Sequence, residues 1–260
     1  DESNFLGYGY RTSLRVEFNG ERYQNYTVSL TDPYFNDSFW SVGTDLYYTD
    51  SRLNQFIQKN AGGAIRAGHP LLMDYFKNNN FYAFIRYKLD DTMVSFDPRM
   101  DVSDVMDPAT VNGITSSVTV SAEFDKRNDR MMPTDGVYAS ASYEQAGLGG
   151  DIRFNKAIVN ARYYKNIFWD VVFRNNISYG VVNGMGDDPI PFTELFRLGG
   201  PNNLRGYTFR SVGTRQFSQK YYNELLAGGQ ITPQVALQEA QTVVGGSQQA
   251  YYMTELEFPL

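Results

Sequence analysis

The chain has 260 residues, 23 Lys and Arg against 29 Asp and Glu, a net charge of −6, one His and no Cys. The acidic balance argues against general nucleic-acid binding, and the missing thiols remove disulfides, thiol catalysis and cysteine-based metal sites. No apolar run of about eighteen residues occurs, so no transmembrane helix is expected, and the length suits one large β domain.

Strict alternation of apolar and polar residues marks strands with two unlike faces. Taken in chain order it predicts ten strands, near residues 6–18, 21–32, 38–52, 62–72, 79–91, 113–127, 136–145, 154–165, 168–180 and 249–258. In the first, Tyr8, Tyr10, Thr12, Leu14, Val16 and Phe18 share a face, opposite Gly9, Arg11, Ser13, Arg15 and Glu17. In the sixth, Ile114, Val118, Val120, Ala122 and Phe124 oppose Thr115, Ser117, Thr119, Ser121, Glu123 and Asp125. Trp169, Val171, Phe173, Ile177 and Tyr179 oppose Asp170, Arg174, Asn176 and Ser178 in the ninth. Most of these strands exceed the usual five or six residues of globular proteins and match the roughly 9–11 of a tilted bilayer-spanning strand.

The connections are expected to sort by size. After a tight Asn19–Gly20 turn, Pro33–Asp37 is short and Leu53–Ala61 longer, Met73–Asn78 short and Thr92–Asn112 long. Asn128–Asp135 is short and Gly147–Arg153 medium, Asn166–Ile167 tight and Val181–Ser247 very long. Short turns on one side and long loops on the other are the habit of outer-membrane barrels. An extracellular β-sandwich or β-solenoid would also alternate, but with shorter strands and a polar face richer in Lys and Glu. Here that face is Ser, Thr, Gly, Arg and Asp, as in a watery lumen. Tyr8, Tyr26, Trp40, Tyr48, Phe124 and Trp169 fall near strand ends, as interfacial girdles do.

Against this regularity, Leu195–Arg215 ("LFRLGGPNNLRGYTFRSVGTR") is glycine-rich, carries four arginines and lacks strand periodicity. Two turn motifs accompany it. "TDPYF" contains Asp32, Pro33, Tyr34 and Phe35; "DRMMPTDG" contains Asp129, Pro133, Asp135 and Gly136. In both, turn chemistry accounts for most of the pattern, with proline fixing φ and glycine free to take conformations other residues avoid.

In order, "TDPYF", "DRMMPTDG", "LGGPNNLRGY" and "ELEF" resemble the BamA/TamA/Sam/Toc insertase superfamily of outer-membrane barrels, over essentially the whole chain. The LRGY segment resembles that family's sixth-loop signature, with Leu204 and Tyr207 as mild departures, and Gly199–Gly200 stand at the usual spacing before it. The resemblance implies an all-β, antiparallel transmembrane barrel, with residues 1–260 as a partial barrel domain holding about ten of sixteen strands, the third to the twelfth. Loop six, about residues 181–248, is expected to fold into the lumen. The POTRA domains and the terminal strands are expected outside this sequence, whose opening "DESNFLGYGY" and ending "ELEFPL" read as the interior of a longer protein.

The resemblance also implies site residues. Gly199, Gly200, Leu204, Arg205, Gly206 and Tyr207 form the loop-six motif, and Glu257 is the expected lumenal partner of Arg205, with Glu255 on the same face. A second family carboxylate is expected on a later strand. A planar guanidinium meets a carboxylate with two parallel hydrogen bonds, and breaking such a pair in a shielded lumen would cost about 3–5 kcal/mol. The implied function is assembly of outer-membrane proteins without covalent catalysis. The implied partners are outer-membrane lipids, unfolded barrel clients and periplasmic accessory lipoproteins, at the bacterial outer membrane. No cofactor, metal, catalytic residue or nucleic-acid partner is expected.

Other readings stay open. A TamA-like or two-partner secretion translocator shares parts of the loop motif; a passive porin should lack it. An enzyme in a barrel is disfavoured, because the sole histidine, His69, shares parity with Ile65, Ala67 and Leu71 and is expected to face lipid near an interface. Asp101, Asp104 and Asp107 read as a solvated loop rather than a calcium site. Within residues 221–246, Leu225–Ala227 and Val235–Val243 look helical, with Pro233 near a helix start.

Overall fold

A computed structural model describes residues 9–20, 22–53, 56–71, 80–96, 100–169, 171–229 and 231–258. Residues 6–8 of the first expected strand, with Tyr8, and the expected Met73–Asn78 turn lie outside them. Ten strands pair antiparallel with their chain neighbours: β1 (Arg11–Asn19), β2 (Tyr23–Asp32), β3 (Ser41–Arg52), β4 (Ile57–Leu71), β5 (Phe81–Ser95), β6 (Gly113–Asp125), β7 (Gly136–Ala146), β8 (Phe154–Phe168), β9 (Val171–Gly184) and β12 (Gln248–Glu257). The β9–β12 connection holds α1 (Gln219–Ala227), α2 (Pro233–Glu239) and a small two-stranded sheet of β10 (Arg215–Phe217) and β11 (Gln241–Val243). Strands β1 and β12 are the edges of the large sheet and do not pair with each other.

The wall is inside out by the standard of a soluble protein. Its apolar face is exposed: Leu14 is 73% exposed, Leu46 66%, Ile65 57% and Val120 54%. Ser117, on the opposite face of β6, is fully buried, and Asp45 and Asp90 are 7% exposed. Period-2 alternation fixes this, because neighbouring residues point to opposite faces and the register lines up like with like. Leu14, Val28 and Leu46 form one outward row. Ser29 donates to Asp45 at 2.6 Å on the inward face, and Arg66 meets the same carboxylate at 2.8 Å. An apolar outer face with a paired polar interior is what lipid outside and water inside select. No helix among the described residues is long and apolar enough to cross a membrane; the strands supply the spanning surface.

Aromatic side chains gather at both rims of the outer face. Phe18 meets Tyr26 edge-on and Tyr26 lies tilted against Tyr48, with centroids 5.5 and 6.3 Å apart. At the other rim Trp40 packs on His69 at 4.7 Å, and Phe168 meets Trp169 edge-on. His69 thus sits in an aromatic belt, as its parity predicts.

The sorting of connections is corrected in part. The 96–112 and 185–247 connections share one end, called here the loop end. The connection expected to be longer, Leu53–Ala61, shrinks to residues 53–56, because β4 starts at Ile57 and continues the ladder from Arg52. At the opposite rim, Asp32 accepts from the Tyr34 amide at 3.0 Å and Asp129 accepts from Met131 and Met132. Gly136 has φ +115, and a Cβ there would sit 2.2 Å from the Lys126 carbonyl oxygen, so only glycine fits. Asp135 is held by Lys165 at 2.8 Å. These motifs act as turn chemistry, which brings them nowhere near the loop-six motif by bonding.

Candidate functional site: the loop-six tip and its lumenal wall

The β9–β12 connection turns back against the polar face of the wall. At its root, short bridges pair Phe196 with Gly246 and Leu198 with Val212. The chain then reverses through Gly199 and Gly200, at φ +113 and +110. A Cβ on Gly199 would lie 2.2 Å from the Thr208 carbonyl oxygen, so position 199 accepts no side chain. Asn203 organises the tip, its side-chain oxygen accepting from the amides of Gly199 at 2.8 Å and Leu204 at 2.7 Å. Gly206, at φ +87, turns the chain after Arg205, and Tyr207 is 60% exposed.

This geometry delivers Arg205 to β12. Its Nη1 lies 2.8 Å from Oε1 of Glu255. Glu255 lies seven residues along β12 from Gln248, about 23 Å at ~3.3 Å per residue. The loop therefore reaches well down the lumen from its root.

The expected partner is corrected by one strand repeat. Glu257 pairs with Arg174 of β9, and Arg205 takes Glu255. Both carboxylates point to the inner face, as parity requires. Arg174 is the register partner of Glu255, yet its guanidinium goes diagonally to Glu257 and leans over the Tyr164 ring at 5.7 Å. Glu255 is thereby left for the loop. In this chain the Arg205 side chain is 67% exposed, and an ion pair so exposed is worth about 0.2–1 kcal/mol.

Beneath the tip is a polar chamber of about 210 Å³, lined by Arg162, Arg174, Asn176, Arg205 and Glu255 among others. Nε of Arg174 and the side-chain oxygen of Asn176 are buried there without hydrogen-bond partners. The chamber contains three guanidiniums beside amide and carboxylate side chains, a lining suited to polar chain.

The rest of the connection is anchored differently, by contacts that sequence reading missed. Phe192, Tyr221, Ala240 and Val244 of loop six join Phe56, Val94, Val102, Met106 and Val111 in one buried apolar cluster. Phe56 and Phe192 meet edge-on at 5.2 Å. Asp104 accepts from the Ser218 hydroxyl at 2.6 Å and from the amides of Gln219 at 2.7 Å and Lys220 at 3.2 Å, the free donors of the first turn of α1. Burial opposes the charge on Asp104, but these donors outweigh it and hold its carboxyl below the usual range. Asp101 meets Lys220 at 3.6 Å, and Asp107 caps the turn at Pro108. Asp101, Asp104 and Asp107 thus bind their own protein. At the wall, Lys156 bonds Glu194 at 2.9 Å and lies over the Phe196 ring.

The helices differ in extent from expectation. Helix α1 begins at Gln219, earlier than Leu225, because Ser218 caps it by accepting from the Tyr221 amide. Helix α2 begins at Pro233 as expected and stops at Glu239, because Gln241–Val243 pairs with Arg215–Phe217. The S-x-x-Y start and the Gly228–Gly229 stop were the usable signals for α1.

A family model described as the Omp85 superfamily domain matches residues 4–260. The chain belongs to the Omp85 superfamily. This Omp85 chain is 29% identical over 218 residues to an outer membrane protein assembly factor BamA of Nitratidesulfovibrio vulgaris, covering 82% of the chain and 26% of that relative. It is 34% identical over 103 residues to a sorting and assembly machinery component 50 homolog of Bos taurus, covering 39% and 22%. Among solved structures, BamA from Haemophilus ducreyi lacking POTRA domains 1–3 aligns with a TM-score of 0.77 at 21% identity, over 99% of this chain and 49% of that one. That likeness shows the fold. The chain spans about a quarter of the length of the two relatives.

Proposed function

We propose that this Omp85 chain is the barrel wall of an outer-membrane protein assembly factor, which inserts unfolded barrel clients into the membrane without covalent catalysis. The observation that carries this reading is the loop-six tip, laid along the polar face with Arg205 on Glu255 at 2.8 Å. A passive pore has no need of a loop motif docked so far down its lumen. Membership of the family and the assembly roles that the BamA and component 50 relatives are named for support it. We place the protein in the outer membrane of a bacterium, because the bacterial relative matches 82% of the chain and the bovine one 39%. Unfolded barrel proteins are its clients, with periplasmic lipoproteins as accessory subunits.

The test uses the full-length protein in vesicles and a purified unfolded barrel protein as client. Folding of the client, read by heat-modifiable gel mobility, should run several-fold faster than in empty vesicles. Arg205→Ala should reduce that gain while the wall stays folded by circular dichroism. Client folding at the empty-vesicle rate would overturn the proposal. Steady ion conductance in that case would indicate a porin, and export of a soluble partner a secretion translocator.

A further inference from the structure

Of the four arginines in Leu195–Arg215, Arg205 is absorbed by the tip and Arg215 lies in β10. The other two, Arg197 and Arg210, converge on a second cavity. It has a volume of about 520 Å³, and its walls include Arg22, Arg52, Arg197, Thr208, Arg210 and Ser211. Three separate parts of the chain bring these groups together: the β1–β2 turn, the end of β3 and the base of loop six. Tyr23 and Ser51 also line it, and they are register partners on the polar face, so the cavity opens to the lumen at the loop end.

Two costs are concentrated there. Arg197 is only 9% exposed. Its Nε donates to the Val243 carbonyl at 3.2 Å, but Nη1 and Nη2 are buried with no hydrogen-bond partner. A buried guanidinium fork with no acceptor carries a large uncompensated desolvation cost. Burial, and then the charge of Arg210, push its pKa down to about 10. Arg210 itself sits in left-handed backbone at φ +55, a conformation that costs a non-glycine residue free energy and persists where the surroundings enforce it. No carboxylate among the described residues forms an ion pair with Arg197 or Arg210. The fold thus aims a desolvated cation and a strained one at the same space.

We infer that this cavity is an oxyanion site whose ligand is a phosphoryl group, free or carried on a headgroup, gripped by the Arg197 and Arg210 guanidiniums with the Thr208 and Ser211 hydroxyls beside them. A carboxylate brings one charge and two oxygens. Free phosphate or a phosphate monoester brings close to two charges and three acceptor oxygens, which suits several converging forks. The volume lies within the range of small-ligand pockets, about 300–1,000 Å³. The site is separate from the Arg205 chamber and does not depend on the assembly reading.

The experiment uses the full-length protein in detergent micelles, with inorganic phosphate as the probe at constant ionic strength set by chloride. Phosphate should raise the apparent melting temperature in a saturable way, and Arg197→Gln and Arg210→Gln should each abolish the rise. Without phosphate, Arg197→Gln should melt no lower than the parent, because it removes an uncompensated charge. If a Gln variant fails to fold, Arg22→Gln, on an exposed turn, should weaken phosphate binding several-fold. Vesicles of phosphatidic acid, whose headgroup is a phosphate monoester, against neutral phosphatidylcholine separate the sources: protection by the anionic headgroup alone assigns a lipid-borne phosphoryl, and protection by phosphate in both assigns the free ion. Absence of any response to phosphate and to the anionic vesicles overturns the site. So does binding of a poly-glutamate peptide without binding of phosphate, or a full-length structure with one of the protein's own carboxylates bonded to Arg197 and Arg210.

Discussion

The tip of loop six and its helical insert are parts of one connection held by opposite physics. The tip depends on glycine geometry and one ion pair in which Arg205 is 67% exposed. The insert depends on a dry cluster in which Met106 and Ala240 are fully buried and Phe192 is 3% exposed. An exposed pair can open and close at little cost, whereas a packed cluster cannot. The insert is therefore the anchor and the tip is the adjustable part. A loop that takes part in receiving clients would need its tip free to move and its base fixed.

Four substitutions in the full-length protein would break or sharpen this contrast. Phe192→Ala should have the largest effect, about 3–5 kcal/mol from a buried aromatic lost at the anchor, seen as a lower denaturant midpoint and early proteolysis within 219–245. Gly199→Ala should cost about 1–3 kcal/mol through the clash with Thr208 and the positive φ. It should disorder the tip while leaving hydrogen exchange of α1 unchanged. Asp104→Ala should remove a capping acceptor of α1 for about 1 kcal/mol. The Asp104 carboxyl is depressed in the folded state, so its stabilisation is present above its unfolded pKa of ~3.9 and lost as pH falls through the lower folded value. Protection of α1 should drop in that acidic window and no longer do so in the variant. Smallest, Arg205→Ala should cost at most about 1 kcal/mol. A double-mutant cycle should find coupling of Arg205 to Glu255 and none to Glu257; coupling to Glu257 instead would reverse the assignment made from the geometry.

Much of this was legible in the residues. Alternation located all ten wall strands, since the side-chain period of a strand is two and needs no tertiary knowledge. It placed Glu255 and Glu257 on the lumenal face and His69 on the outer one. It misjudged Leu53–Ala61 because Ile57–Ala61 mixes polar and small residues, and only cross-strand pairing to β3 and β5 makes them strand. The ordered motifs carried the family, and Gly199, Gly200 and Arg205 as members of one tip.

What the sequence determined by itself is therefore local and periodic: which residues alternate, where the chain turns, and which face each carboxylate takes. The tertiary structure alone decided which carboxylate meets which arginine. Glu255 and Glu257 are equivalent by parity, and the choice falls to the diagonal reach of Arg174 from the neighbouring strand. It also decided that Asp104 caps a helix 115 residues away, and that Arg197 and Arg210 share a cavity with the β1–β2 turn. Contacts across such separations leave no period in the sequence, because they are set by how the loops pack once the wall has formed.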